Sequence, residues 1–342
     1  MKKPVLIIIP IIVLVLIVIS VLTYFLLSRK TNKIISPLEQ TTTINSVSNI
    51  TPKPANQGEY NILLLGQGGA GHEGGILADS EMIVHINTIN KKAALIFIPR
   101  DMYVNNMKIN EAYSKGGFAL AKETVGSITG LSIGQAIVVD FPNFIRLIDS
   151  LGGIDINIAK TFDDYFYPVA GKELETCGKS PEEVANLSAT LSGFELEKQF
   201  TCRYEHLHFD TGKTHIDGIM ALKYARSRHS AQDGSDFGRG ARQQTILIGI
   251  KDKLLTLNAL KNVDKIFNSL VKFVKTDLDL ATTKTIISLI VNPSEYKISQ
   301  IVPSDANILK SGKNSQGQFI LVPKSDDWQE LRNFIKEQIS AS

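Results

Sequence analysis

Four arginines lie close together in the chain, and their positions are Arg226, Arg228, Arg239 and Arg242. Residues 239–254 have helical spacing, with an apolar stripe formed by Ile246, Ile250 and Leu254. Arg239, Arg242 and Gln243 continue this stripe towards the start of the helix and are predicted to face inward. Because a helix N-terminus disfavours cations and guanidinium groups pair with phosphate oxygens, the pattern indicates a phosphate-containing ligand. The first two arginines share one face if their backbone is extended, and a basic edge strand is the alternative interpretation.

Two carboxylates and a further arginine are predicted to meet at one end of a β-hairpin. Residues 81–88 and 94–99 form two apolar strand candidates separated by a short turn. If they pair roughly symmetrically about position 90, Asp79 lies opposite Asp101, at the same end as Arg100. The two carboxylates could hold Mg²⁺, or either could take a proton from an attacking hydroxyl. Solvated turn residues are the alternative interpretation.

The segments that would position these residues predict an α/β fold. Strands are expected at residues 61–65, 81–88, 94–99, 135–140, 154–158, 296–302 and 318–322. Helices are expected at residues 117–129, 142–151, 217–224, 243–256, 259–274 and 326–339. The succession of strand, helix and strand at 135–158 suggests a βαβ unit in a sheet that helices cover. Residues 160–210 lose this pattern, which indicates an insertion.

The N-terminal part of the sequence predicts a membrane anchor. Residues 4–27 carry no charge, are rich in Ile, Val and Leu, and are long enough to span a bilayer as one uncleaved signal anchor. Residues 1–3 would form a short cytoplasmic tail, and the polar residues 28–58 a flexible stalk. The positive charges that flank the span are nearly balanced and do not decide its orientation. The stalk and the cysteines favour an extracytoplasmic domain at 59–342.

Composition limits the kinds of partner. Five of the 37 basic residues flank the predicted span, and the remaining chain carries 32 Lys and Arg against 34 Asp and Glu, which excludes nucleic-acid binding by bulk charge. The glycine-rich segment 66–71 precedes no helix and has no acidic residue at ribose distance, so it is not a dinucleotide site.

Cys177 and Cys202 form either a disulfide or two free thiols, with equal support for both. Three histidines without ligand spacing are interpreted as surface or core residues: His72, His85 and His229.

Four segments of the sequence resemble the LytR–CpsA–Psr family of bacterial envelope proteins. They follow in this order behind the predicted membrane helix: residues 78–80, residues 98–101, residues 108–113 with Gly116 and Gly117, and the arginine segment entered through residues 215–222. The resemblance runs from about residue 58 to 275 and more loosely to the C-terminus. Each segment alone is a modest signal, but the four in this order are specific.

This resemblance implies an α/β/α sandwich and a phosphotransferase. Such an enzyme moves a glycopolymer, teichoic-acid-like or a capsular or wall polysaccharide, from a polyprenyl-pyrophosphate carrier to peptidoglycan at the cell membrane. The residues implied to bind the pyrophosphate are Arg100, Arg226, Arg228 and Arg239, with Arg242 and Gln243 included in the same set. Asp79 is implied to hold Mg²⁺, and Asp101 to serve as a metal ligand or as the catalytic base.

One departure from the family pattern concerns the metal. The family often carries a second metal-binding Asp after the first strand, in a Leu-Gly-x-Asp pattern, and Gly68 stands at that position here. Glu73, further along the same loop, is the alternative ligand. Two other functions stay open: hydrolysis of the same carrier pyrophosphate, and a non-enzymatic module that binds polyprenyl phosphates for envelope assembly or regulation.

Overall fold

A computed structural model describes residues 57–69, 75–232, 234–256, 271–278 and 295–341. The predicted anchor at 4–27, nearly all of the predicted stalk and most of the predicted helix at 259–274 lie outside these residues. Among the helices that the structure describes, none combines the length and the apolar character that a membrane span needs. The chain divides into two compact units, Met1–Asn143 with Leu254–Ser342, and Phe144–Lys253.

The helices and strands of the described residues follow in this order. The first part of the chain contains β1 (Glu59–Gln67), β2 (Ala78–Asn87), β3 (Lys92–Ile98), β4 (Tyr103–Val104), β5 (Met107–Lys108), α1 (Ala112–Thr129), β6 (Gln135–Asp140) and α2 (Phe141–Ser150). The middle contains β7 (Ile154–Ile158), β8 (Phe162–Pro168), α3 (Pro181–Thr190), α4 (Gly193–Glu197), β9 (Tyr204–Phe209), β10 (Gly212–Ile216), α5 (Gly218–Arg226) and α6 (Asp236–Thr256). The last part contains β11 (Lys275–Thr276), β12 (Lys297–Ile301), β13 (Leu309–Lys313), β14 (Phe319–Pro323) and α7 (Trp328–Ala341).

A mixed sheet with the strand order β11-β6-β1-β2-β3-β12 forms the centre of the first unit. β1, β2 and β3 are antiparallel neighbours, whereas β6 runs parallel to β1 and β12 runs parallel to β3. The central strands are nearly continuous runs of buried apolar residues, as expected where both faces of a sheet are covered. The strands predicted within 61–65, 81–88, 94–99 and 135–140 are confirmed.

The β2–β3 hairpin has a register close to the predicted one. Asn87 pairs with Lys92, and Glu81 pairs with Ile98. Continued outward, this register sets Asp79 opposite Arg100, one residue short of the expected Asp101. The difference arises because the turn centres between two residues rather than on position 90.

Two small antiparallel sheets belong to the second unit, and they correct the predicted βαβ unit. β7 pairs with β10, not with β6, and β8 pairs with β9. Along β7, buried and exposed residues alternate, which is typical of an antiparallel strand with one solvated face. The predicted strand at 154–158 is therefore confirmed, but its assignment to a parallel βαβ unit is wrong.

Residues 160–210 contain regular structure despite their irregular sequence pattern. β8 and β9 form a hairpin, and α3 begins at a capping box in which Ser180 and Glu183 satisfy each other's backbone N–H groups. Cys177 and Cys202 form a disulfide, so of the two alternatives the structure contains the bonded one.

His85 is a core residue whose protonation is coupled to folding. It is 2% exposed on β2, and its Nδ1–H donates to Oδ1 of Asn61 on β1 at 2.7 Å. Burial lowers the pKa of His85 below its ordinary value, while Glu59 opposes this shift.

We expect acid to destabilise the first unit through His85. As the pH falls through about 6.5, the imidazole of the unfolded chain takes up a proton before that of the folded chain, so folding free energy is lost. Urea unfolding can be followed by the fluorescence of Trp328 in the same unit. Between pH 7 and pH 5, the free energy of unfolding of His85→Gln should fall by about 1 kcal/mol less than that of the wild type. Equal losses in the two proteins would contradict this prediction.

Candidate functional site

The predicted acidic residues and Arg100 lie together at one edge of the first unit's sheet. This edge carries the C-terminal ends of β1 and β3 and the start of β2. The NH1 group of Arg100 donates to Oδ1 of Asp79 at 2.8 Å, and its Nε lies 3.7 Å from Oδ2 of Asp101. Arg100 therefore bridges the two carboxylates.

Lys108 is a fourth charged residue of this edge, and the sequence analysis gave it no role. The β4–β5 hairpin turns at Asn105 and Asn106, which both have positive φ angles of 52° and 60°. This short turn brings the Nζ of Lys108 to 2.6 Å from Oδ1 of Asp101. The Asn-Asn pair is the sequence signal that could have revealed this contact, since two-residue hairpin turns need positive φ.

Glu81 is a buried acid beside the same residues. It lies on β2, two residues after Asp79, and it is 1% exposed. Burial raises the pKa of Glu81 well above its usual range, Asp101 raises it further, and Arg100 opposes the shift. Within the described part of the chain, no group donates a hydrogen bond to its Oε2. The signal for this residue, missed above, was a lone acid in the apolar run of β2.

In the second unit, the inward arginines of α6 lie where helical spacing predicted them. Arg239 is 5% exposed and Arg242 is 3% exposed. Asp236, the first residue of α6, forms ion pairs through Oδ1 with Arg228, whose NH2 lies 2.8 Å away, and with Arg239, whose NH2 lies 3.4 Å away. A carboxylate at the helix N-terminus thus balances two cations there.

Asp164 fixes the backbone of the arginine segment. This buried carboxylate lies on β8, and its Oδ2 accepts hydrogen bonds from Oγ of Ser227 at 2.7 Å and from the backbone N–H groups of Arg228 and His229 at 3.2 Å each. Residues 160–210, predicted only as an insertion, therefore supply the group that holds this segment. No local pattern in the sequence pointed to Asp164.

Three members of the predicted set lie around the end of α5. The guanidinium group of Arg242 donates to the carbonyls of Tyr224 and Ser227, and the Nε2 of Gln243 donates to the carbonyl of Ala225 at 3.3 Å. Arg226 is the last residue of α5, so the extended backbone expected for it is wrong, and the chain becomes extended only at Ser227. These contacts tie the start of α6 to the C-terminal turn of α5.

The donor set for Mg²⁺ in the first unit consists of carboxylate oxygens. Asp79 and Asp101 fit the preference of this ion for a few carboxylates plus phosphate oxygens. Gly68 follows β1 without a side chain to offer, and Glu73 lies outside the described residues. A third protein ligand at Glu73 stays a prediction.

The comparisons with known proteins establish the family. A family model described as the LytR_cpsA_psr family matches residues 21–336. The chain belongs to this family. The predicted resemblance is therefore confirmed.

Several relatives within the LytR_cpsA_psr family carry functional names. The chain is 25% identical over 270 residues to the polyisoprenyl-teichoic acid–peptidoglycan teichoic acid transferase TagV of Bacillus subtilis, covering 77% of this chain and 60% of TagV. It is 27% identical over 240 residues to the transferase TagU of Enterococcus faecalis, covering 68% of this chain and 65% of TagU. It is 26% identical over 294 residues to the regulatory protein MsrR of Staphylococcus aureus, covering 82% of this chain and 76% of MsrR. The match thus spans less than two thirds of TagV and of TagU.

The fold is also that of solved LytR_cpsA_psr proteins. The crystal structure of Bacillus subtilis TagV matches with a TM-score of 0.56 and 24% sequence identity, covering 83% of this chain and 98% of that one. The mixed α/β fold expected from the sequence is therefore shared with this family.

The Glu81→Gln substitution should stabilise the protein at alkaline pH. The unfolded chain releases the Glu81 proton near pH 4.3, whereas the folded chain retains it to a higher pH, so stability falls as the pH rises between these two values. Glutamine has no proton to lose. We therefore expect the free energy of unfolding of Glu81→Gln, measured against that of the wild type, to be about 1 kcal/mol higher at pH 8 than at pH 4.

Urea unfolding at both pH values measures this gain, and the exposed Glu123→Gln serves as the matched control. A Glu81→Gln curve parallel to that of the wild type would show that Glu81 ionises alike in the folded and unfolded chains.

Proposed function

We propose that this protein transfers a glycopolymer from a polyprenyl-pyrophosphate carrier to a hydroxyl group of peptidoglycan. The observation that carries the proposal is the arginine set at the start of α6, where the buried Arg239 and the partly exposed Arg228 share Asp236. Buried guanidinium groups that a protein holds at a helix N-terminus suit an anionic phosphate ligand. The names of TagV and TagU, teichoic acid transferases of the same family, support a polymer of this class.

In the second unit, we propose that the arginines bind phosphate oxygens. Arg226, Arg228 and Arg239 would bind the pyrophosphate and stabilise the charge that develops on its oxygens during transfer. Asp164 holds the backbone beneath Arg228 in place beforehand, which lowers the reorganisation needed at the moment of reaction. Arg242 and Gln243, which donate to carbonyls of the α5 terminus, position the segment in this scheme.

In the first unit, we propose that Asp79 holds Mg²⁺ and that Asp101 acts on the acceptor hydroxyl. The ion would supply charge neutralisation of pyrophosphate oxygens when bound. Arg100 contacts both carboxylates and would bind a phosphate oxygen. Lys108 pairs with Oδ1 of Asp101, the candidate general base, and holds this carboxylate in position.

The proposed step is a substitution at phosphorus. The acceptor hydroxyl oxygen forms a bond to the phosphorus that carries the glycopolymer, and the pyrophosphate P–O bond breaks. Polyprenyl phosphate leaves with the electron pair of that bond, and the hydroxyl proton moves to Asp101. The product is a phosphodiester between polymer and peptidoglycan.

We place the protein at the cell membrane, with residues 4–27 as a single anchor and the catalytic domain outside the cytoplasm in an α/β/α sandwich. The uncharged run at 4–27 supports the anchor, since its length suits a bilayer. The disulfide between Cys177 and Cys202 supports an oxidising compartment. The anchor would keep the domain close to a carrier lipid that cannot leave the bilayer.

A regulatory or assembly module is the second candidate function. The name of MsrR, a regulatory protein in the same family, favours it, as does Gly68 at the position where the family often has Asp. Such a module would bind polyprenyl phosphates without turnover. A pyrophosphatase on the same carrier would instead release free glycopolymer phosphate.

The Arg228→Ala variant should lose transfer activity without losing the fold. The side chain is 40% exposed, and Asp164 binds only the backbone at this position, so alanine keeps the structural contact. Removing one preorganised charge donor costs about 10²–10³ in rate, and we expect a loss of this size. The assay follows polymer from a lipid-linked donor into peptidoglycan and separates bound polymer from free polymer phosphate.

Arg146→Ala, at an exposed arginine of the same unit, is the matched control and should transfer at the wild-type rate. If Arg228→Ala also keeps the wild-type rate, the transferase proposal fails. Free polymer phosphate as the sole product would point to hydrolysis instead.

Metal removal tests the role of Asp79. Because carboxylate oxygens are the preferred ligands of Mg²⁺, we expect EDTA to abolish transfer and added Mg²⁺ to restore it. In Asp79→Asn, the Mg²⁺ concentration that gives half-maximal transfer should rise by about tenfold, since about 1.4 kcal/mol of metal binding would be lost. Transfer or ligand binding that EDTA leaves unchanged would count against the metal and in favour of the regulatory module.

A further inference from the structure

Three potential metal ligands meet on the β8–β9 hairpin of the second unit. Asp163, His206 and His208 each offer one ligand atom, and these atoms all lie within 4.8 Å of one another. Among the residues that the structure describes, this is the group of three that could hold an ion. The proposed transfer reaction gives these residues no role.

The hairpin itself creates this cluster. Asp163 on β8 is the cross-strand partner of His208 on β9, and His206 lies two residues earlier on the same face of β9. The Nε2 of His206 lies 2.7 Å from Oδ1 of Asp163, and the Nδ1 of His208 lies 2.8 Å from the same oxygen. Strand pairing, and not chance rotation of long side chains, therefore brings the three groups together.

Two further contacts orient the imidazole rings as metal sites require. The Nε2 of His208 lies 3.2 Å from Oδ1 of Asp210, so a carboxylate holds the nitrogen that would point away from the ion. This carboxylate–histidine arrangement fixes the tautomer in many metal sites. The ring of Tyr165 stacks on that of His206, with 4.2 Å between centroids and 4° between planes, and so limits its rotation.

We propose that Asp163, His206 and His208 bind a divalent transition metal ion of the zinc class. Two imidazole nitrogens and one carboxylate oxygen suit such ions, and a tetrahedral ion with three protein ligands keeps one position for water or another ligand. Both histidine side chains are 45% exposed, so this position is open to solvent.

The two nitrogen–oxygen distances to Asp163 need only a small adjustment for the ion. In a tetrahedral zinc site with bonds near 2.1 Å, neighbouring ligand atoms lie about 3.4 Å apart. The two nitrogens are now hydrogen-bonded to Asp163 at shorter distances, because N–H protons fill the place of the ion. Metal binding would displace these protons, and partly exposed side chains can open by the remaining fraction of an ångström.

The site lies next to the residue that fixes the arginine segment. Asp163 and Asp164 are neighbours on β8, and successive strand residues point to opposite faces. Asp163 faces the histidines, whereas Asp164 accepts the hydrogen bonds of residues 227–229. A bound ion would join β8 to β9 at this point, while the disulfide joins Cys177, in the chain that follows β8, to Cys202 just before β9.

Zinc binding to the full-length chain in detergent, purified with a histidine-free tag, tests the proposal. Isothermal titration should find one tight Zn²⁺ site, and Co²⁺ should give the visible absorption of a tetrahedral site. Loss of an outer-shell partner costs 10–100-fold in affinity, so His206→Ala and His208→Ala should each lose at least about 100-fold, and Asp210→Asn about tenfold.

His215→Ala is the matched control, since His215 is an exposed histidine whose Nδ1 pairs with a single carboxylate, that of Asp155, at 2.7 Å. It should bind Zn²⁺ like the wild type. His208→Gln keeps a hydrogen-bond donor beside Asp163 and should lose Zn²⁺ as His208→Ala does, while its thermal unfolding in EDTA stays that of the wild type.

Absence of tight zinc binding in the wild type would overturn the proposal. Equal zinc affinity in the wild type and in both His206 and His208 variants would overturn it too, since the ion would then bind elsewhere. Because the readout is binding and not transfer, failure here leaves the transferase proposal standing.

Discussion

A guanidinium group that leaves water must find acceptors, and this requirement shapes the second unit. Arg239 and Arg242 are almost fully buried at the start of α6. Asp236 forms an ion pair with Arg239, and a carbonyl group at the end of α5 accepts a hydrogen bond from Arg242. Asp164 accepts a hydrogen bond from the backbone that precedes α6. These contacts support one another and so preorganise the described part of the segment. The buried Asp164 and the partly buried Asp236 thus both contribute to positioning one cationic surface.

The first unit meets the same requirement with alternating charges. Asp79, Arg100, Asp101 and Lys108 form a row in which each charge contacts an opposite one. Oε2 of Glu81 has no hydrogen-bond partner among the described residues, and burial raises the pKa of this acid. The paired charges at the edge of the sheet and the raised pKa of Glu81 both follow from the cost of removing a charge from water.

Local sequence patterns predicted the parts of this structure that local rules determine. Apolar runs predicted the strands of the main sheet, and helical spacing predicted that Arg239 and Arg242 face inward. The hairpin register was missed by one residue because it depends on turn geometry. β7 was assigned to the wrong sheet, since its partner β10 lies beyond the irregular residues 160–210. Asp164 and the Asp163 cluster were missed for a similar reason, because their partners are more than forty residues away and no period records them.

The shared carboxylate Asp236 has a consequence for selectivity. Arg228 and Arg239 already have an internal counterion, so an arriving anion must compete with it and does not meet bare cations. A monovalent anion competes poorly with a carboxylate that is tethered in place. A dianion or a pyrophosphate competes better, because it offers several oxygens to several guanidinium groups. If the proposed pyrophosphate ligand binds here, the resident carboxylate would make the site selective against chloride and simple carboxylates and in favour of ligands of high charge density.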